Sequence, residues 1–339
     1  MNYAAPMVRI EGLSKFFPGK LNFWNKPVTW VKAVNNINLD IYEGETLGVV
    51  GESGCGKSTT GSCITRLLDP TGGKIEYLPR NQDTPVDLAR LTERELHPYR
   101  ADIQMVFQDP FSSLNPRMNV RDIISEPLRA FGEKKGPALD DRVAQLMLKV
   151  GLRPEYMSRF PHAFSGGQRQ RIGIARALSS NPRLVICDES VSSLDVSVQA
   201  QTLGLLEDLQ EQLGISYMFI AHDLSAVKHI STRVTVMYVG KIFEVADTET
   251  LYGHPMHPYT EALLASVPKI KNDRTVRKIN LPGEVPDPSS PPEGCFFHPR
   301  CAYATPDCAH CVQELRPVTG EEGHLTTCIR AEELSLRGV

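Results

Sequence analysis

The chain has 339 residues, 41% apolar and 23% charged, enough to bury a large core and leave material for an appendage. Lys and Arg number 37 against 40 Asp and Glu, a net charge of -3, so the basic excess that a phosphate-backbone partner uses is missing and no nucleic-acid partner is expected. No apolar run approaches the roughly 18 residues of a membrane-spanning helix, and the opening MNYAAPMVRIEG lacks the charged start and apolar stretch of a secretion signal, so a cytosolic location is expected.

Apolar alternation over 7–17, 33–42 and 46–50 predicts three strands, the first two an antiparallel edge beside a buried central one. Residues 57–68 turn helical. A stretch rich in charge and proline then reads as a surface insertion before a further strand at 103–107. Helical periodicity broken by Gly and Pro, over about 110–180, predicts a small helical subdomain that closes with a helix at about 166–179. Strands recur at 184–187, 217–221 and 234–239, alternating with helices at about 196–213 and 224–229, which implies a mostly parallel sheet covered on both faces. The composition changes after Ala265. The segment LPGEVPDPSSPP at 281–292 reads as a poorly packed linker, so the expected division is a large α/β domain over 1–265 and a small extension over 266–339.

Gly51-Glu-Ser-Gly-Cys-Gly-Lys-Ser58 has the spacing of a phosphate-binding loop and stands where one must, between an apolar strand and a helical pattern. Gly51, Ser53, Gly54, Cys55 and Gly56 offer backbone N–H groups to phosphate oxygens at a helix N-terminus; Lys57 adds a point charge, Ser58 a hydroxyl for Mg, and Thr59 completes the motif. The strand at 184–187 runs into Asp188 and Glu189. In a parallel sheet the C-terminal strand ends face the phosphates; there Asp188 suits a hold on Mg-bound water and Glu189 the general base for the attacking water. Gln108 and His222 end two further strands, placing Gln108 to sense Mg and the nucleophile and His222 to contact the transferring phosphoryl group. Ser165-Gly-Gly-Gln168 opens a helix with small residues and free N–H groups, a second anion site.

A single domain has no use for two such sites, and in this respect the sequence resembles the ABC transporter ATPases. Residues 51–59 match the Walker A motif, 184–189 the Walker B, Ser165, Gly166, Gly167 and Gln168 the signature, Ser192 to Asp195 the D-loop, Gln108 the Q-loop and His222 the H-loop. The resemblance spans about residues 8–270. It implies a P-loop ABC core, Mg-ATP hydrolysis, and closure of one subunit's signature over its partner's Walker A. It also implies an adenine-stacking aromatic near the N-terminus, for which Phe17 is the match and Phe16 the alternative, a plain core aromatic being the bland reading. VFQDPFSSLNPRMNV, DESVSSLDVSVQAQ and HPMHPYTEALLASVP look like the oligopeptide/dipeptide (and nickel) importer ATPases.

That narrower likeness implies import powered at the cytoplasmic face of the membrane. The partners would be a paralogous ATPase or a second copy, two transmembrane permeases and an extracytoplasmic solute-binding protein. Peptide is the expected cargo, with nickel, glutathione or oligosaccharide as alternatives and a soluble ATPase without a transport task as the rival. Five of the eight cysteines crowd between 295 and 328, and in a reducing compartment such crowding points to metal. Cys295, Cys301, Cys308 and Cys328 resemble the pattern that in some members holds a 4Fe-4S cluster, with Cys311 able to replace Cys308. Zinc or unmetallated thiols are the other readings. Removal of the extension at Leu281 is expected to spare basal ATP binding.

Overall fold

In the computed structural model, which describes residues 5–20, 22–24, 26–80, 82–191, 195–266 and 281–339, antiparallel pairing of β1 (Val8–Pro18) with β2 (Trp30–Ile41) sets Val8, Ile10 and Leu13 opposite Ile41, Leu39 and Ile37. All six are buried. The central β3 (Thr46–Val50) leads through a glycine-rich loop into α1 (Lys57–Ile64). Next come β4 (Gly72–Tyr77), β5 (Val86–Asp87) and α2 (Glu93–Leu96), and β4 lies on the free side of β1. The result is a separate four-stranded sheet in the order β2-β1-β4-β5.

Two expectations are corrected here. The antiparallel strands form a sheet of their own instead of edging the parallel one, and within the charged stretch after α1 the pieces Gly72–Tyr77 and Val86–Asp87 join that sheet while most of 82–100 lies at the surface. Its alternation is too short to stand out from its polar residues, yet Ile75 and Tyr77 are fully buried and the Tyr77 hydroxyl donates to Asp102 at 2.7 Å.

The second sheet is built on β3 with β6 (Ile103–Val106), β7 (Leu184–Asp188), β8 (Ser216–Ile220) and β9 (Arg233–Tyr238), in the order β9-β3-β8-β7-β6 with every pair parallel. Four of these strands are buried at every position, as a sheet covered on both faces requires. Gly48 in β3 has no room for a side chain. A Cβ there would lie 2.6 Å from Val227 of the helix packed above it. Between β6 and β7 the chain forms α3 (Val120–Ala130), α4 (Pro137–Lys149) and α5 (Gly166–Leu178), the helical region expected over about 110–180. Asn119 caps α3 by accepting the Asp122 N–H at 2.8 Å. Helices α6 (Val196–Leu213) and α7 (Leu224–Ile230) supply the later crossovers.

After β9 the chain turns back as β10 (Lys241–Asp247), followed by α8 (Thr248–Gly253) and α9 (Pro258–Leu264). Two short strands from the C-terminal segment, β11 (Arg316–Pro317) and β12 (Leu325–Thr326), then extend the same sheet antiparallel beyond β10. Phe296 and Phe297 are buried in the main core with Tyr238 and Tyr259. Phe296, Phe297, β11 and β12 are thus packed onto the large domain, while the segment 281–292 has no regular structure and no buried residue.

A polar latch fastens this segment. Glu244, fully buried, accepts the Met256 and His257 N–H groups at 2.6 and 3.0 Å and bonds His324 Nε2 at 2.7 Å, while His324 Nδ1 meets Glu321 at 2.5 Å. Burial pushes the His324 pKa down, but the hydrogen bonds and charges of Glu244 and Glu321 outweigh it, leaving the pKa raised. A raised folded-state pKa contributes its stability in full below the unfolded value of about 6.5 and loses it as pH climbs through the folded value. The difference in Tm between wild type and His324→Gln should therefore shrink as pH rises from about 6.5 through the raised folded-state value. A difference independent of pH would remove the ionic latch.

Candidate functional site

The loop between β3 and α1 turns through three positive-φ glycines, Gly51 (150°), Gly54 (79°) and Gly56 (103°). At Gly51 a Cβ would stand 2.1 Å from the Met237 carbonyl oxygen, and at Gly56 2.1 Å from that of Ala33, so both close approaches require glycine. Ser53 and Gly54 face solvent, whereas Cys55, Gly56 and Lys57 are buried. Lys57 Nζ folds over the loop and donates to the carbonyls of Gly51 at 2.8 Å and Glu52 at 3.2 Å. Ser58 and Thr59 follow on the first turn of α1.

Ser58 Oγ donates to Asp188 Oδ1 at 2.7 Å. This joins a helix start to the end of β7 and sets a hydroxyl beside a carboxylate, a donor pair of the oxygen chemistry Mg prefers. Burial foremost, then the neighbouring charge of Glu189, raises the Asp188 pKa against the opposing Ser58 bond and Lys57 charge; a cation would relieve that. Glu189 adopts φ 44°, a left-handed conformation rare outside glycine, held by its N–H donating to the Ile220 carbonyl at 2.9 Å. Such strain gathers at working sites. Gln108 Nε2 donates to Glu189 Oε2 at 2.6 Å, and His222 Nδ1 stands 3.8 Å from the same oxygen. Gln108 and His222 each lie two residues past the strands β6 and β8, and both converge on the carboxylate of Glu189.

The remaining expected residues sit apart from that cluster. Ser165 caps α5, and with Gln168 it forms a reciprocal capping box, Gln168 N–H to Ser165 Oγ at 3.3 Å and Ser165 N–H to Gln168 Oε1 at 3.1 Å. Gly166 opens that helix. A Cβ on Gly167 would meet Val198 at 2.5 Å, so a small residue is needed where α5 passes α6. Asp195 stands exposed at the head of α6, while the D-loop positions 192–194 lie outside the described residues. Phe17 is half-buried in β1 opposite Val31, with Lys15 Nζ 5.1 Å from its ring centre; Phe16 is half-buried opposite Lys32.

All five C-terminal cysteines, 295, 301, 308, 311 and 328, line one small cavity of about 20 Å³ together with the buried His257. Burial pushes the Cys295 pKa up to about 12 and that of Cys328 to about 11, and raises those of Cys301 and Cys311. Four or more converging thiols are the donor set of an iron–sulfur or zinc site. Yet no group of three or more His, Cys, Asp or Glu among the described residues is arranged to hold a metal ion, and the cavity has room for little beyond a water. The chemistry suits a metal; in this conformation the spacing does not, and the thiols would have to rearrange around one.

Sequence reasoning missed the second ring around the phosphate loop. The Tyr259 hydroxyl accepts the Glu52 N–H at 2.8 Å, and Arg300 pairs with the Glu52 carboxylate at 2.8 and 3.2 Å. No local pattern marks either residue, since the first contact spans 207 positions and the second 248.

This geometry defines a nucleotide-binding cassette, and comparison with known proteins places it. The chain matches the ABC transporter family over residues 34–192 and the oligopeptide/dipeptide transporter C-terminal region over 243–308. It is 50% identical to the oligopeptide transport ATP-binding protein OppF of Salmonella typhimurium, with 93% of this chain and 92% of that protein covered. It is 46% identical to AppF of Bacillus subtilis, an oligopeptide transport ATP-binding protein (95% and 96% covered), and 44% to the dipeptide transport protein DppF of Haemophilus influenzae (96% and 97%). Among solved structures it resembles the ATP-binding cassette MJ0796, a dimer bound to ADP and Pi, with a TM-score of 0.62, 28% identity, 71% of this chain and 99% of that chain covered. The chain belongs to the ABC transporter ATP-binding proteins and is an ATPase. Within them it falls in the oligopeptide/dipeptide group. None of its described helices is long and apolar enough to cross a membrane.

Proposed function

We propose that the chain powers import of di- or oligopeptides, seated on the cytoplasmic face of the membrane beneath two permease subunits and served by an extracytoplasmic solute-binding protein. The observation that carries the catalytic part is the convergence of Gln108 and His222 on one oxygen of Glu189, next to Ser58 bonded to Asp188. The peptide cargo rests on the relatives and on the matched C-terminal region.

Glu189 orients and deprotonates the attacking water. Gln108 holds that carboxylate in place and reports on the nucleotide, and His222 donates to the phosphoryl oxygens as charge builds on them. Lys57 and the loop N–H groups bind the phosphates, Phe17 stacks on the base, and Ser58 with Asp188 holds Mg, which when bound neutralises phosphate charge. Ser165 to Gln168 and Asp195 close the site of a second ATPase chain, whose own signature closes this one. The exposed Phe107 and Phe111, beside Arg176 and Arg169, lie where a permease would be felt.

Cys295, Cys301, Cys308 and Cys328, with Cys311 as the alternative to Cys308, would hold a structural 4Fe-4S cluster after rearranging around it. Support comes from their convergence on one cavity. Co-expression with its genomic neighbours, followed by mass spectrometry of the complex, should recover two permeases and raise ATP turnover; vigorous ATPase in the lone chain without membrane partners would sink the transport reading. Anaerobic preparation should yield iron and acid-labile sulfide, and a colourless, iron-free protein would dismiss the cluster while leaving the ATPase untouched.

A further inference from the structure

A carboxylate inside a phosphate-binding loop is electrostatically adverse, because it puts a like charge within a few ångströms of the anionic ligand. Glu52 is such a residue, directly after Gly51 and before the exposed Ser53 and Gly54. Its carboxylate is bound on both oxygens by Arg300, whose side chain is only 8% exposed against 26% for Glu52. Arg300 is itself fixed by further bonds: Nη1 also donates to the Tyr238 hydroxyl at 3.0 Å and Nε to the Pro282 carbonyl at 3.3 Å. Behind it Tyr238, Tyr259 and Phe297 pack as a ring cluster, with Tyr238 and Tyr259 centroids 4.6 Å apart. Tyr259 holds the Glu52 N–H as well, so one loop residue is gripped at backbone and side chain by residues C-terminal to the parallel sheet.

We propose that Arg300 is a positioning residue of the phosphate loop: it neutralises the Glu52 carboxylate and holds it on the C-terminal side, so the loop receives ATP phosphates without an opposing charge. A fork-to-fork pair gives direction as well as charge balance, and a lysine would supply only the charge. The C-terminal extension thereby takes part in nucleotide binding, and its removal at Leu281 is expected to weaken ATP affinity, contrary to the sequence expectation.

The test compares Mg-ATP binding and steady-state kinetics of the full-length protein in its complex for R300Q, R300K, E52Q and the double variant E52Q/R300Q. R300Q should raise Kd and KM for ATP about 10-fold, with kcat at saturating ATP within about 2-fold of wild type, since the pair acts on binding and not on the water. The double variant, with no unpaired carboxylate left, should return to within about 3-fold of wild type. A merely structural arginine predicts the reverse, with the double variant no better than R300Q and with kcat falling too; that result, or wild-type affinity in R300Q, overturns the proposal. Should R300Q not fold, R300K and the double variant decide: weaker binding in R300K than in E52Q/R300Q supports the proposal, and equal or tighter binding in R300K overturns it.

Discussion

Replacing Glu189 with Gln should lower ATP turnover about 1000-fold while leaving ATP bound, within the range a positioned general base contributes. Gln keeps the size and can still accept the Gln108 amide hydrogen that now reaches Oε2 at 2.6 Å, so the geometry survives and only the proton acceptor is lost. The strained φ of 44° at this residue is unchanged by the swap, because backbone and Cβ are the same. ATP is therefore retained on the closed pair of cassettes. Rapid filtration of labelled nucleotide from the complex, beside phosphate release, separates the two effects. Near-normal turnover in this variant would assign the base elsewhere, and loss of binding would make Glu189 a nucleotide ligand.

Lys57→Ala should abolish the function one step earlier, weakening ATP binding about 100-fold through loss of a charge-assisted contact to the phosphates. Nζ also donates to the Gly51 and Glu52 carbonyls, so the side chain braces the loop as well. Isothermal titration with Mg-ATP reads the loss, and Tm without nucleotide checks the fold. If affinity held, the Gly51–Ser58 loop would not be the phosphate site.

How much of this was legible in the sequence follows from distance along the chain. Gly51, Gly56 and Lys57 sit within one short loop, and the positive φ angles and phosphate charge that call for them are local, so the motif could be read directly, whereas the Met237 and Ala33 carbonyls that also crowd the two glycines come from distant strands. Glu189, Gln108 and His222 were found because each ends a strand of a parallel sheet, and parallel order places those ends together. Periodicity does not name a strand's partner. β1, β2 and β4 therefore read as an edge and an insertion, although Ile75 and Tyr77 pair them into a separate sheet. The Arg300–Glu52 and His324–Glu244 contacts are set by tertiary packing alone, and no spacing rule reaches across them. The cysteines were visible as a crowd, and their convergence on one cavity became visible only in the fold.

The short strands β11 and β12 carry a consequence for handling the protein. β10 contains Ile242, Phe243, Val245 and Ala246, and its outer rim pairs with β12 at Glu244 and Val245 and accepts the Thr327 N–H at the Phe243 carbonyl. A strand of this composition left open would template edge-to-edge association between molecules, while the two-residue β11 offers a neighbour almost nothing to pair with. Chains clipped after α9 by a protease, or shortened by a stop codon there, should therefore lose colloidal stability and precipitate on warming even while the parallel sheet itself stays folded.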